Sequence, residues 1–102
     1  MSDDYQIPIP PSFQALYLDT RRRLTLPLAE FRARYDLCED MAQLLVERCQ
    51  AVHHDQGVSE DVILDRMGAG LRDAGSGFSA AEALWIVTRL AELLDWPAPL
   101  PG

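Results

Sequence analysis

Between Leu28 and Val52 the chain places apolar residues in alternating steps of three and four: Leu28, Phe31, Tyr35, Cys38, Ala42, Leu45, Cys49 and Val52. That spacing keeps side chains on one face of an α-helix and conflicts with the two-residue period of a strand. At about 100° per residue, Leu37, Met41 and Leu44 fall beside this ladder and widen the apolar arc to roughly half the circumference. A helix wetted on one side needs a narrower stripe. The segment is therefore expected to be the central helix of a small all-α domain, covered by neighbours on more than one side.

Local signals place its ends. Thr25 is the expected N-cap, Pro27 fits the first turn, where its missing N–H costs nothing, and Gly57 closes the helix. A helix over 27–55 would be about 43 Å long, more than the width of a compact 100-residue domain whose radius of gyration is about 13 Å. It must protrude, bend or break. Asp36, with Glu39 three residues later in the manner of a capping box, is the candidate break.

Three further helices are expected around it. Phe13, Leu16, Tyr17 and Thr20 share one face of a first helix over about 12–22, which ends in Arg21, Arg22 and Arg23, cations suited to a helix C-terminus. The segments GVSEDVIL from Gly57 and GFSAAEAL from Gly77 open alike, with glycine, an apolar residue, a serine cap and acids in the first turn. Each is a helix start, and Ser79 with Glu82 forms a full capping box. The third helix covers about 60–73 with Val62, Ile63, Met67 and Leu71 inward, although Gly68 and Gly70 weaken it by about 1 kcal/mol each relative to alanine. The last covers about 80–95 with Ala83, Leu84, Val87, Leu90, Ala91 and Leu94 inward. Residues 1–11 form an extended, proline-bearing segment in which Ile7 and Ile9 can reach the core, 12–96 a single helical domain, and 97–102 a proline-rich tail.

The totals exclude several functions. The 102 residues carry a formal charge of −7, which argues against a nucleic-acid partner, since duplex binding draws on cations set against phosphates. No apolar run approaches the roughly 20 residues that span a bilayer, and the N-terminal residues lack the pattern of a secretion signal, so the cytoplasm is the expected compartment. All nine basic residues are arginine. Without lysine there is no P-loop and no Schiff-base chemistry. Cys38 and Cys49 fall about 16 Å apart on one helix, too far for a disulfide, and are expected to be reduced core residues. The glycines from Gly68 to Gly77 begin inside a helical pattern rather than after a strand, so they read as a helix end and turn, not as a phosphate cradle.

The candidate sites are few. Cys49 and His53, at i and i+4, are the weak candidates for metal ligands, but no second cysteine or histidine pair completes a structural zinc site. Asp36, Asp40 and Glu47 lie on the polar stripe opposite the apolar arc, with Gln43, Gln50 and His54, and suit a basic partner. Residues 21–35 hold five arginines against Glu30, a balance of +4, and residues 36–61 hold seven acids against Arg48, a balance of −6. Such polarity can guide docking on another protein or on a second copy, with Arg21, Arg22 and Arg23 at its basic end. Trp85 and Trp96 are the candidate aromatic anchors if exposed. No residue set suggests a catalytic centre or a cofactor.

At Pro10-Pro11-Ser12-Phe13, Arg34 to Asp40, His53-His54-Asp55, Glu82-Ala83-Leu84-Trp85 and Arg89 to Trp96 the chain resembles a family of small proteobacterial proteins. Members often carry the label ATPase with chaperone activity. The residues here hold no phosphate loop and no magnesium-binding acid after a strand, so the resemblance implies an accessory part of a chaperone machine rather than the ATPase itself. The expectation is a non-enzymatic helical interaction module acting on a protein partner or as a homodimer, without cofactor, nucleic acid or membrane. The alternative is a small ligand- or metal-binding protein with its pocket between the last helix and the Cys49/His53 edge.

Overall fold

The computed structural model describes residues 8–98. The expected core position Ile7 and the end of the proline-rich tail lie outside the described residues. The fold is all-α, with α1 (Pro11–Gln14) running into a 3-10 turn (Ala15–Tyr17), then α2 (Leu28–Gln56), α3 (Glu60–Arg72) and α4 (Ala80–Leu94). No strand forms among the described residues beyond one isolated bridge between Leu18 and Leu24.

The central helix is continuous. Asp36 lies inside 29 helical residues and breaks nothing, because the apolar ladder keeps its phase through it. At 1.5 Å per residue α2 is roughly 43 Å long, close to the 47 Å long axis of the molecule. Its start falls later than expected, with Pro27 as N-cap and the Thr25 N–H turned back to donate to the Tyr17 carbonyl at 2.8 Å. Gly57 ends it in the left-handed region, φ 67°, a conformation that glycine adopts without steric cost.

The first helix is shorter than the expected span over 12–22. After one turn and the 3-10 segment, Leu18 is extended and Asp19 Oδ1 accepts from the backbone N–H groups of Arg21 at 2.8 Å and Arg23 at 2.9 Å. An aspartate that satisfies nearby N–H groups in a turn removes the gain from continuing the helix. Arg22 takes φ 63° there, and Thr20 is exposed. Arg21, Arg22 and Arg23 thus stand on a tight turn rather than at a helix C-terminus.

Phe13 joins this arm to the core. It is fully buried, and the rings of Trp85, Tyr35, Tyr17 and Phe31 surround it at centroid distances of 5.1–5.7 Å. Pairs at such separations, tilted or edge-on, add about 0.5–1.5 kcal/mol each beyond area burial. Trp85 Nε1 donates to Ser12 Oγ at 2.9 Å, which satisfies its one donor and pins the arm over α4.

α4 is the element that both α2 and α3 pack against. It buries Ala83, Trp85, Ile86, Val87, Leu90, Ala91 and Leu94, whereas Leu84, expected inward, is exposed. Its buried arc turns toward the aromatic cluster and takes in Trp85 and Ile86 instead. α3 buries Ile63, Leu64 and Leu71 and leaves the expected Val62 exposed. Gly68 serves its packing, since a Cβ there would lie 3.4 Å from Val87 Cγ2 and 3.0 Å from Arg72 Nη1. Cys38 and Cys49 are free and buried as expected.

Candidate functional site

The most elaborate polar cluster among the described residues grows out of the capping box. Ser79 Oγ accepts from the Glu82 N–H at 3.0 Å, and Glu82 Oε1 accepts from the Ser79 N–H at 2.9 Å. The carboxylate does more than cap. Arg34 of α2 reaches it in a fork, Nε to Oε2 at 2.9 Å and Nη2 to Oε1 at 2.7 Å, and the Tyr17 hydroxyl donates to Oε2. Arg34 Nη2 also donates to the Gly77 carbonyl at 2.8 Å, and its guanidinium lies over the Phe78 ring. Glu82 is only 2% exposed. A buried carboxylate stays charged only when its oxygens are saturated by donors, and here Arg34, Tyr17 and Ser79 saturate them.

The electrostatics fix every member in one protonation state. Burial opposes ionisation of Glu82, but the donors from Arg34, Tyr17 and Ser79 outweigh it and hold the carboxyl at about 2. Burial and the neighbouring Glu82 acceptor push the Tyr17 hydroxyl up to about 12. The hydrogen bonds to Glu82 raise Arg34 further. General acid–base work needs a group whose pKa lies near the working pH. These groups are set far from it, and the cluster is suited to tying the N-terminal arm, α2 and α4 together.

A second polar link lies five residues further along α2. Arg89 donates to both Glu39 oxygens, at 2.9 and 3.1 Å, and to Glu92 at 3.1 Å. It joins α2 to α4 on the side next to the aromatic cluster.

Beside Arg34, on the side of α2 turned away from Glu39, the helix carries an uncovered apolar stripe. Leu37 is 48% exposed and Leu44 72% exposed, with half-buried Met41 between them. The physical cause is direction around the helix: the adjacent Cys38 and Leu45 are fully and half buried, while Leu37 and Leu44, turned about 100° from them, point to the side that the neighbouring helices leave open. The expectation that neighbours would cover this arc therefore fails at Leu37 and Leu44. The stripe continues in steps of four and three as Glu30, Arg34, Leu37, Met41, Leu44, Arg48, Ala51 and Asp55.

The expected site residues separate. Asp36, Asp40 and Glu47 are exposed on α2, as are Arg21, Arg22 and Arg23 on the turn before it. Trp85 is 7% exposed and offers nothing to a partner, because the aromatic cluster absorbs it. Trp96 is half-buried with its ring centroid 5.2 Å from that of His53. His53 Nδ1 donates to the Val58 carbonyl at 2.8 Å, and its Nε2 lies 4.0 Å from Glu60. Cys49 is fully buried, and burial raises its thiol pKa, the opposite of what a thiolate ligand needs. Among the described residues no three histidine, cysteine or acidic side chains gather as a metal site.

A groove of about 540 Å³ lies between the N-terminal arm and α4, lined by Pro10, Leu16, Tyr35, Leu84 and Thr88 among others, and a larger one of about 800 Å³ lies at the start of α3, lined by Ser59, Glu60, Val62, Leu64, Pro97 and Ala98 among others. Neither lining includes Cys49 or His53, but Glu60 of the second groove lies 4.0 Å from His53 Nε2, so that groove opens beside the edge where the alternative ligand reading places a pocket. Sequence reasoning missed Glu82 as a buried group and Arg34 as its partner. The signal was half present, since a capping box marked Glu82, but the arginine lies 48 residues away in the chain.

No helix of the described residues is long and apolar enough to cross a membrane. The chain matches no protein-family model, no curated protein and no solved structure.

Proposed function

We propose that this chain is a non-enzymatic helical protein–protein interaction module of the bacterial cytoplasm, and that the exposed stripe of Leu37, Met41 and Leu44 on α2 is its working face. The observation that carries the reading is the 72% exposure of Leu44 beside 48% at Leu37, two large apolar side chains one above the other on the longest helix. Scattered apolar residues on a surface need no explanation, but an aligned pair on a helix is the form that helix-mediated recognition takes. The non-enzymatic half of the reading is supported by the Glu82 cluster, whose carboxylate, hydroxyl and guanidinium are engaged with one another. The family resemblance adds that the module accompanies a chaperone machine.

A photoreactive residue in place of Leu44, with another in place of the exposed His54 as control, tests the reading in bacterial cells. The expected result is a discrete adduct from position 44 that is absent from position 54 and lost when Leu37 is changed to glutamate. No adduct from position 44 contradicts it.

A further inference from the structure

The occupant of this face can be read from the charges along α2, given the interaction reading above on which the inference rests. We infer that the partner is a second copy of the same chain, packed antiparallel along α2 with the two-fold axis between Leu37 and Leu44.

Three observations converge. The centre of the stripe, at residues 40 and 41, nearly coincides with residue 42, the middle of a helix that runs from Leu28 to Gln56. An antiparallel pair centred there overlaps along almost the whole of α2, so the N-terminal end of each copy lies beside the C-terminal end of the other. Those ends carry opposite charge. Arg21, Arg22, Arg23 and Arg32 make no ion pair among the described residues, and the far half of the helix presents exposed Glu47 and Asp55. Parallel pairing would instead set like ends together.

Within the stripe the signs are reversed, acid toward the N-terminal end and base toward the C-terminal end, and they are complementary in the same arrangement. Glu30 and Arg48 are exposed and lie on the line of Leu37, Met41 and Leu44, one near each end. About the proposed axis, Arg48 of one copy projects onto position 33 of the other, between Glu30 and Arg34 on the stripe, and since Arg34 is already paired with Glu82, Glu30, free among the described residues, is the charge it meets. The pattern is an apolar centre closed by one cation–anion contact at each end, and both contacts are generated by a single two-fold axis. In a parallel pair, Glu30 and Arg48 would be about 27 Å apart. The helix dipoles also oppose each other favourably in the antiparallel arrangement.

The apolar centre is small. A standard interface takes about 800 Å² from each partner, and two leucines with one half-buried methionine supply only part of it. Dissociation constants on the order of 100 μM follow for so short an apolar contact, and the end charges then decide partner and orientation.

Sedimentation equilibrium up to about 1 mM chain, a concentration well above that dissociation constant, provides the test. The wild type should move from 11.4 kDa toward twice that mass. The double substitution Leu37→Glu with Leu44→Glu alters only exposed side chains and should stay monomeric with an unchanged circular dichroism spectrum. Arg48→Glu alone and Glu30→Arg alone should each weaken self-association about tenfold, since each turns two attractive contacts into repulsive ones. An equimolar mixture of those two variants should recover wild-type association, because both contacts are then again of opposite sign.

A monomeric wild type, association indifferent to the leucine pair, or a mixture that fails to recover would each overturn the inference. Failure of the broader reading looks different: a monomeric wild type whose position 44 still forms an adduct with another protein sinks the dimer alone, and absence of any adduct sinks both.

Discussion

Replacing Arg34 by methionine should be among the most damaging single changes outside the aromatic core, and its cost should depend on pH. Glu82 is 2% exposed, and the forked contact from Arg34 is its main source of countercharge. Holding its carboxyl at about 2 rather than 4.5 corresponds to about 3 kcal/mol at 1.36 kcal/mol per unit. Removing one partner of a buried ion pair costs 3–5 kcal/mol in general, which agrees. For a domain of this size that loss lowers Tm by roughly 12–24 °C.

The pH dependence has a definite sign. A carboxyl with a depressed folded-state pKa contributes stability that is complete above its unfolded value and lost as pH falls toward the folded one. The gap between wild type and Arg34→Met should therefore be full at pH 7 and shrink steadily from about pH 4.5 to pH 2. Glu82→Gln should cost less, because the abandoned Arg34 is 30% exposed and can turn to water, whereas an abandoned Glu82 has no such route. Urea unfolding followed by far-UV circular dichroism and tryptophan fluorescence measures all three proteins. A loss below about 1 kcal/mol for Arg34→Met, or a gap unchanged between pH 7 and pH 2.5, would refute this account of the cluster.

Other parts of the fold give further expectations. Phe13→Ala, which empties the centre of the ring cluster, should cost about 3–5 kcal/mol in urea unfolding. Gly57→Ala forces a Cβ into φ 67° and should cost about 1–2 kcal/mol, although no atom blocks the space. Burial pushes the Cys38 thiol up to about 12 and raises that of Cys49, so an aromatic disulfide reagent should label neither at pH 8 until the chain unfolds. Labelling in step with the loss of ellipticity confirms this; rapid labelling of the folded protein contradicts it.

Periodicity and end signals made α2, α3 and α4 legible in the sequence, with Gly57 and the Ser79 capping box at or within a residue of their structural positions. Ser59 also occupies its expected N-cap position, without a side-chain cap hydrogen bond. The first helix is shorter than its spacing predicts because Phe13, Leu16 and Tyr17 keep helical spacing while the decisive residue is polar: Asp19 captures two N–H groups and turns the chain. Which arc of α2 remains uncovered is equally hidden, since periodicity records that a face is apolar but not which side of it the neighbours cover. Leu84, expected inward, is exposed while Trp85 turns into the core, because the N-terminal arm, with Ser12 and Phe13, offers Trp85 a polar partner and a ring to pack on. The burial of Glu82 depends on Arg34 and Tyr17, contacts 48 and 65 residues distant in sequence, and no local pattern reports such a pairing.

The central claim is that a second copy of this chain packs on the Leu37–Met41–Leu44 face of α2. Methyl resonances of Leu37, Met41 and Leu44, followed by NMR as the concentration of the chain is raised, test it most directly, with the exposed Val62 of α3 and Leu84 of α4 as internal references. The account predicts progressive, saturating shifts at the three α2 residues and none at the references. Stationary α2 methyls, or shifts centred on Val62 or Leu84, would contradict it.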